Sequence, residues 1–293
     1  VVYLLHGLPF TEKSFISQET WEPWIGGTSP FQSYPDFPEK TFRQWIDAMI
    51  ESGLIEPMII VMPNAANNNY GFSWYSNSIL NGGFEDYIVN DLVSFMDSNY
   101  RTIAKKEGRA VIGFSQGGYA AVKYGLLHAD KFSVIAGHSG LLYLDGILSM
   151  GSVLVDENPG GFQGPDPAKF LTSAMYSMSA AWSPNTNNPP FMVDLPFEYP
   201  SGAVIPSVRE KWMMHDAFTL LDSNMESFKS LDGIFIDCGD FDELGMTDMV
   251  KAFCLKMQAM NVEHTYETYQ GGHFDHMYSR LERSLTFCSD KMN

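Results

Sequence analysis

The run from Ala110 to Val122, Ala-Val-Ile-Gly-Phe-Ser-Gln-Gly-Gly-Tyr-Ala-Ala-Val, constrains this chain more than any other. Three apolar residues lead into Gly-x-Ser-x-Gly, and a helix-forming stretch leads out. A strand that turns straight into a helix leaves no room for side chains at Gly113 and Gly117. The turn holds Ser115 in a strained backbone conformation and lifts its oxygen above the strand ends. It also places the Gln116 N–H at a helix N-terminus, where a developing oxyanion is stabilised. The five-residue pattern alone is weak, since ordinary Gly and Ser frequencies give it about 0.1 times in a chain this long. The flanking strand and helix are what make Ser115 a candidate nucleophile. The bland alternative is a Gly-rich turn that binds phosphate.

The rest of the sequence supplies a setting for that turn. Val1 to Leu5 reads as a buried strand ending at His6-Gly7. Phe42, Trp45, Ile46, Met49 and Ile50 share one helical face, and Gly53 stands where a C-terminal cap belongs. Met58 to Met62 is a strand stopped by Pro63-Asn64, and Phe84, Ile88, Leu92, Phe95 and Met96 mark a second amphipathic helix. Val134 to Gly137 is apolar again. Strands alternating with helices predict an α/β fold with a mostly parallel sheet and helices on both faces.

This rhythm breaks between about Leu144 and Asp232. It returns with the strand Ile234 to Cys238, a helix carrying Val250, Phe253, Met257 and Met260, a strand at 264–269 and a helix at 274–288. The expected organisation is a core of residues 1–143 and 230–293 with an insertion at 144–229. Phe170, Met175, Tyr176 and Trp182 would give that insertion an apolar face, as a cap or lid. A decorative insertion with its own small core is the alternative.

Charge and cysteines narrow the classes further. A formal net charge of −17 argues against nucleic-acid binding and against anionic membrane surfaces. No run of about 18 apolar residues predicts a membrane span. Cys238, Cys254 and Cys288 match no zinc spacing, and their odd number leaves at least one unpaired, with Cys254–Cys288 an open pairing. Val1 stands in what reads as mid-strand, so further residues, and with them a signal peptide, are expected upstream. That leans the expectation towards a secreted or periplasmic protein.

Several segments together resemble the Putative esterase family of α/β-hydrolases, which includes feruloyl esterases, S-formylglutathione hydrolases and mycolyltransferases. Tyr3-Leu4-Leu5-His6-Gly7 resembles the family's third strand and His-Gly loop. Ser73-Trp74-Tyr75 and Phe84-Glu85-Asp86-Tyr87 resemble the segment before the nucleophile. Gly113 to Gly118 resembles the elbow and Gly271-Gly272-His273 the catalytic histidine segment. The likeness covers about residues 1–143 and 230–285. It does not extend to the insertion, and the two strands that precede the His-Gly strand in the family are absent.

The resemblance implies an α/β-hydrolase fold and the chain order Ser, acid, His. Six histidines follow Ser115, and His273, past the last strand, is the expected base, with His276 behind it. The acid is expected after the strand 234–238. Family spacing from Gly239 points to Asp242, with Asp240 as the alternative. Asp240, Asp242 and Glu243 crowd one loop, so at least one should face solvent or a cation, although the spacing fits no calcium loop. The resemblance assigns the oxyanion donors to the N–H groups of Leu8 and Gln116, since Pro9 has none to give. His6 is expected to stabilise its loop rather than act as a base. Trp74, Tyr75 and Tyr119 are candidate pocket walls, with core packing as the alternative.

The expected activity is hydrolysis of a carboxylic ester, small or carbohydrate-linked, through an acyl-enzyme and with no metal or other cofactor. Acyl transfer by the same three side chains is the first alternative. A catalytically silent binding module on this scaffold is the second.

Overall fold

Six strands, all parallel, form the central sheet of the computed structural model, in which residues 1–7, 10–15, 41–67 and 70–292 are described. They are β1 (Val2–Leu5), β2 (Ile60–Val61), β3 (Ala110–Phe114), β4 (Val134–His138), β5 (Gly233–Gly239) and β6 (Thr265–Tyr269). Their order across the sheet is β6-β5-β4-β3-β1-β2. A parallel sheet is covered on both faces, which is why these strands are apolar at successive positions rather than at alternate ones. Tyr3, Leu5, Val111, Ile135, Ile234 and Ile236 pack on one side. Val2, Leu4, Ile112, Val134, Ala136 and Phe235 pack on the other.

Helix α1 (Phe42–Glu51) covers the second side. Its N-terminus is closed by a reciprocal capping box, with Thr41 Oγ1 accepting from Gln44 N–H and Gln44 Oε1 accepting from Thr41 N–H. Gly53 takes a left-handed φ of 74° just beyond the C-terminus. Residues 84–99 form α2, whose winding loosens to a π-type turn over Tyr87–Leu92. The extra residue rotates the buried face: Ile88, Val89, Val93 and Met96 point inward while Phe95 is 53% exposed. The sequence period also places Leu92 and Phe95 there; Leu92 does pack partly buried against this core, and only Phe95 is turned out.

Helix α3 (Gln116–Leu127) leaves the Ser115 turn and crosses the first side of the sheet. Its Lys123 is fully buried and donates to Glu85 at 2.6 Å and to Ser76 Oγ at 2.9 Å, while His128 meets the other Glu85 oxygen at 2.8 Å. These pairs tie α3 to α2.

Between β4 and β5 lie short helices at Leu144–Leu148, Gly151–Glu157 and Pro206–Met213, together with α4 (Phe170–Trp182) and α5 (Ala217–Lys229). Helix α5 falls inside the stretch expected as an insertion, yet it packs along α3 as the crossover to β5. A Cβ on Gly125 would stand 2.9 Å from the Phe228 ring. Helix α6 (Met246–Ala259) shares that side of the sheet, and α7 (Met277–Lys291) joins α1 on the other.

All three cysteines are free and buried. Cys254 and Cys288 lie in the cores on opposite sides of the sheet, so the open pairing between them is not made. No described helix is long and apolar enough to cross a membrane.

Candidate active site

The residues singled out in the sequence leave the sheet at its carboxyl ends, where ligands bind in parallel α/β sheets. Ser115 follows β3, Asp242 follows β5 and His273 follows β6. Register aligns them: Gly113 stands beside Leu5 on one side and Gly137 on the other.

Ser115 has φ 57° and ψ −116°, a combination that costs a residue with a side chain on the order of 1–3 kcal/mol. A serine at a helix N-cap ordinarily accepts from a first-turn N–H, but Ser115 makes no such bond. Its hydroxyl is therefore free of the structural task its position would suggest. Backbone from three directions sustains the strain. A Cβ on Gly113 would run into the Gly117 carbonyl, and one on Gly117 into the Leu5 carbonyl. One on Gly7 would meet the Ser115 Cβ at 2.8 Å. The Ser115 N–H donates to His138 O at 2.8 Å.

Asp242 and His273 come together as a pair. His273 Nδ1 and Asp242 Oδ2 are 2.7 Å apart, and both side chains are closed to solvent. Burial pushes the Asp242 carboxyl up, but the hydrogen bond and charge of His273, with the N–H groups of Leu244 and Met246, outweigh it and hold it below its ordinary value. His273 Nε2 is buried and has no hydrogen-bond partner among the described residues, so Ser115 Oγ is not bonded to it in this structure. The imidazole lies 4.9 Å, centroid to centroid, from the ring of Phe114, the residue before Ser115. Asp240 is exposed and offers its main-chain N–H to Tyr269 O.

The other histidines have different surroundings. His276 Nε2 contacts Gln270 O at 3.1 Å. His264 contacts Val262 O, and His215 stacks on Trp182, its imidazole pushed down to about 4 by burial. His6 ties its loop together: Nε2 accepts from Ala65 N–H at 3.0 Å and Nδ1 reaches Gly7 O at 3.1 Å. Burial drives its pKa down to about 4, so it is neutral at pH 7.

A cleft of about 490 Å³ opens at Ser115. Gln116 lines it, and its N–H begins α3, where first-turn donors lack intrahelical acceptors. The Gln116 carboxamide is buried with neither polar atom bonded among the described residues. Leu8 and Pro9 lie outside the described residues. Trp74 forms part of the cleft wall. Tyr75 and Tyr119 do not: both are fully buried, and their hydroxyls donate to His6 O and His215 O. Those two are core residues that shape loops.

Of the four insertion residues expected on the apolar face, Phe170 lines the cleft, whereas Met175, Tyr176 and Trp182 are buried elsewhere. The cleft stripe on α4 is Phe170, Ala174 and Met178, spaced four apart. Leu244, Met246 and Met249 contribute from the segment after β5. Sequence reasoning passed over this second wall because it begins within the acidic loop, although Met246, Met249 and Val250 follow helical spacing.

Two further contacts were not anticipated. Glu243 Oε2 accepts from the His273 N–H at 2.8 Å, and Arg280 Nη1 donates to His273 O at 3.2 Å. Arg280 is itself held by Asp237, whose second oxygen meets His138 Nδ1 at 2.7 Å. A buried carboxylate at Asp237, mid-strand between Ile236 and Cys238, was the available signal that a cation had to be near. Among the described residues, no group of three or more His, Cys, Asp or Glu side chains is arranged to hold a metal ion.

An esterase of Mycobacterium tuberculosis is 36% identical over 89 residues, 29% of this chain and 19% of that protein, so the match spans about a fifth of its length. A diacylglycerol acyltransferase/mycolyltransferase of Mycobacterium avium is 26% identical over 191 residues, 63% of this chain and 47% of that protein. A ferulic acid esterase of known structure superposes with a TM-score of 0.62 at 21% identity, covering 99% of this chain and 84% of its own. That likeness makes the fold an α/β-hydrolase fold. The family description "Putative esterase" matches residues 1–284, and the chain belongs to that family.

Proposed function

We propose that this protein hydrolyses carboxylic esters with Ser115 as nucleophile, His273 as base and Asp242 as the carboxylate that orients the base. The observation that carries this reading is the buried Asp242–His273 pair, whose outer nitrogen has no partner among the described residues and whose imidazole packs on the ring of Phe114, the residue before a serine on a strained turn that makes no capping bond. His273 Nε2 takes the Ser115 proton as Oγ attacks the ester carbonyl. Catalytic hydrogen bonds are often long in an empty site and tighten around substrate. The tetrahedral oxyanion is held by the Gln116 N–H and, by family resemblance, the Leu8 N–H. Each such donor lowers the barrier by about 3 kcal/mol. Asp242 stabilises the imidazolium, which then protonates the leaving alcohol. Water, deprotonated by His273, releases the acid. No step calls for a cofactor.

A second reading is acyl transfer, favoured by the mycolyltransferase relative and by an apolar cleft that would shield an acyl-enzyme from water. The same residues serve, with an alcohol replacing water in the last step.

The test is labelling with a fluorophosphonate probe, beside hydrolysis of short- and long-chain aryl esters, for wild type and Ser115→Ala. Labelling that persists in Ser115→Ala overturns the nucleophile. A wild type that is neither labelled nor active makes the fold a silent binding module. A labelled protein whose turnover rises steeply with added alcohol is a transferase.

A further inference from the structure

We propose that Glu243 is both a positioning residue for His273 and the residue that sets the charge preference of the cleft, a reading that rests on His273 being the base. The main chain of His273 is held from two sides. Glu243 Oε2 takes its N–H at 2.8 Å, and Arg280 Nη1 reaches its carbonyl at 3.2 Å. Arg280 is fixed by Asp237 and by Ser139 Oγ at 2.9 Å, so that side of the clamp is rigid and buried. The Glu243 side is different: Glu243 is exposed on the loop after β5 and lines the cleft. It is immediately next to Asp242, so one loop carries both the carboxylate on the imidazole and the carboxylate on the peptide. The fit is close, since a Cβ on Gly272 would run into the Glu243 carboxylate.

Glu243 also lines the cleft that a substrate would enter. Glu243 and Asp248 are the charged residues lining the cleft, and among the described residues no Lys, Arg or His lines it. An anionic group in this apolar space meets two carboxylates and no counter-charge, which raises its binding cost through repulsion and lost hydration. The substrate class is therefore neutral or cationic esters, and esters with a free carboxylate are disfavoured.

Two variants separate these roles. Glu243→Gln keeps an oxygen for the His273 N–H and removes the charge, whereas Glu243→Ala removes both. Each is assayed beside wild type with a neutral 4-nitrophenyl butyrate and with the anionic mono-4-nitrophenyl succinate. Glu243→Ala should lose about tenfold or more in kcat on the neutral ester with KM little changed, as expected when a base is misplaced but the pocket is intact. Glu243→Gln should retain kcat on the neutral ester and gain about three- to tenfold in kcat/KM on the anionic one. Equal Tm values for all three exclude a folding defect. Wild-type kinetics on both substrates from both variants overturn the proposal. A Gln variant as impaired as the Ala variant on the neutral ester overturns the positioning role. Wild-type activity that survives His273→Ala would overturn the assignment of the base, and the proposal with it, and so tells the two failures apart.

Discussion

Asp242 and His273 are joined by a 2.7 Å contact between Oδ2 and Nδ1, and neither side chain touches solvent. Asp240, two residues earlier, is exposed on the same loop. The two aspartates should therefore respond very differently to the same change. Asp242→Asn keeps the shape but favours the wrong imidazole tautomer, and kcat should fall by about 10³- to 10⁴-fold. Asp240→Asn should alter kcat by less than about twofold. Steady-state kinetics of both variants on one aryl ester check this, and a larger loss at Asp240 would reassign the acid.

The glycines at the elbow should be as sensitive as the three residues proposed to carry the chemistry, though in stability rather than activity. At Gly113 and Gly117 an added Cβ would occupy the space of a backbone carbonyl, and a carbonyl held in a sheet or helix cannot move aside as a side chain can. Gly113→Ala and Gly117→Ala should each cost at least about 3 kcal/mol, measured by urea unfolding. Gly53→Ala is the contrast: nothing lies near its Cβ, so only the left-handed φ opposes it and the cost should be about 1 kcal/mol.

How much of this was legible beforehand divides along physical lines. Local signals carried far. Apolar runs gave most of the strands, i, i+3, i+4 spacing gave α1, and Gly271-Gly272 marked the end of the last strand before His273, whereas Asp242 was singled out by family resemblance from Gly239 rather than by a local signal. Features set by distant packing did not show. The π-type turn in α2 exchanges Phe95 for Val89 and Val93 on the inner face, and no residue between 87 and 92 announces it. Helix α5 looked like part of the insertion because its neighbours are irregular, but Leu221 and Phe228 belong to the sheet's core. Tyr75 and Tyr119 have the composition of a pocket wall. Only the carbonyls that accept from their hydroxyls reveal them as loop supports.

Acid should weaken the fold through Glu85. Burial alone would raise its carboxyl pKa, but the hydrogen bond from His128 and the charge of Lys123 outweigh this and bring it to about 2, against an ordinary 4.5. A depressed folded-state pKa means stability that is fully present above 4.5 and lost as pH falls towards 2. The shift corresponds to about 3 kcal/mol. Thermal unfolding should therefore show Tm falling between pH 4.5 and 2. Glu85→Gln should be less stable at pH 7, where it leaves Lys123 buried beside a neutral amide, and should show a shallower fall. Parallel curves for the two proteins would mean the acid sensitivity lies elsewhere, with Asp237, also held to about 2 beside Arg280 and His138, the next site to test.

The cleft should measure acyl length through α4. Phe170, Ala174 and Met178 form one stripe facing Leu244, Met246 and Met249, and Ala174 is the small residue in its middle. Replacing it with Phe adds a ring where the opposing walls leave space for a chain. Short acyl groups would still reach Ser115, whereas longer ones would meet the ring. Ala174→Phe should leave kcat/KM for 4-nitrophenyl acetate within about threefold and lower that for the octanoate by about tenfold or more, since each methylene excluded from an apolar pocket forfeits about 0.8 kcal/mol. The opposite change, Met178→Ala, enlarges the same space and should shift preference towards longer chains. Its Tm should fall by several degrees, because Met178 is also part of the core. A chain-length profile unmoved by both substitutions would place the acyl group elsewhere and leave this stripe as core packing of α4.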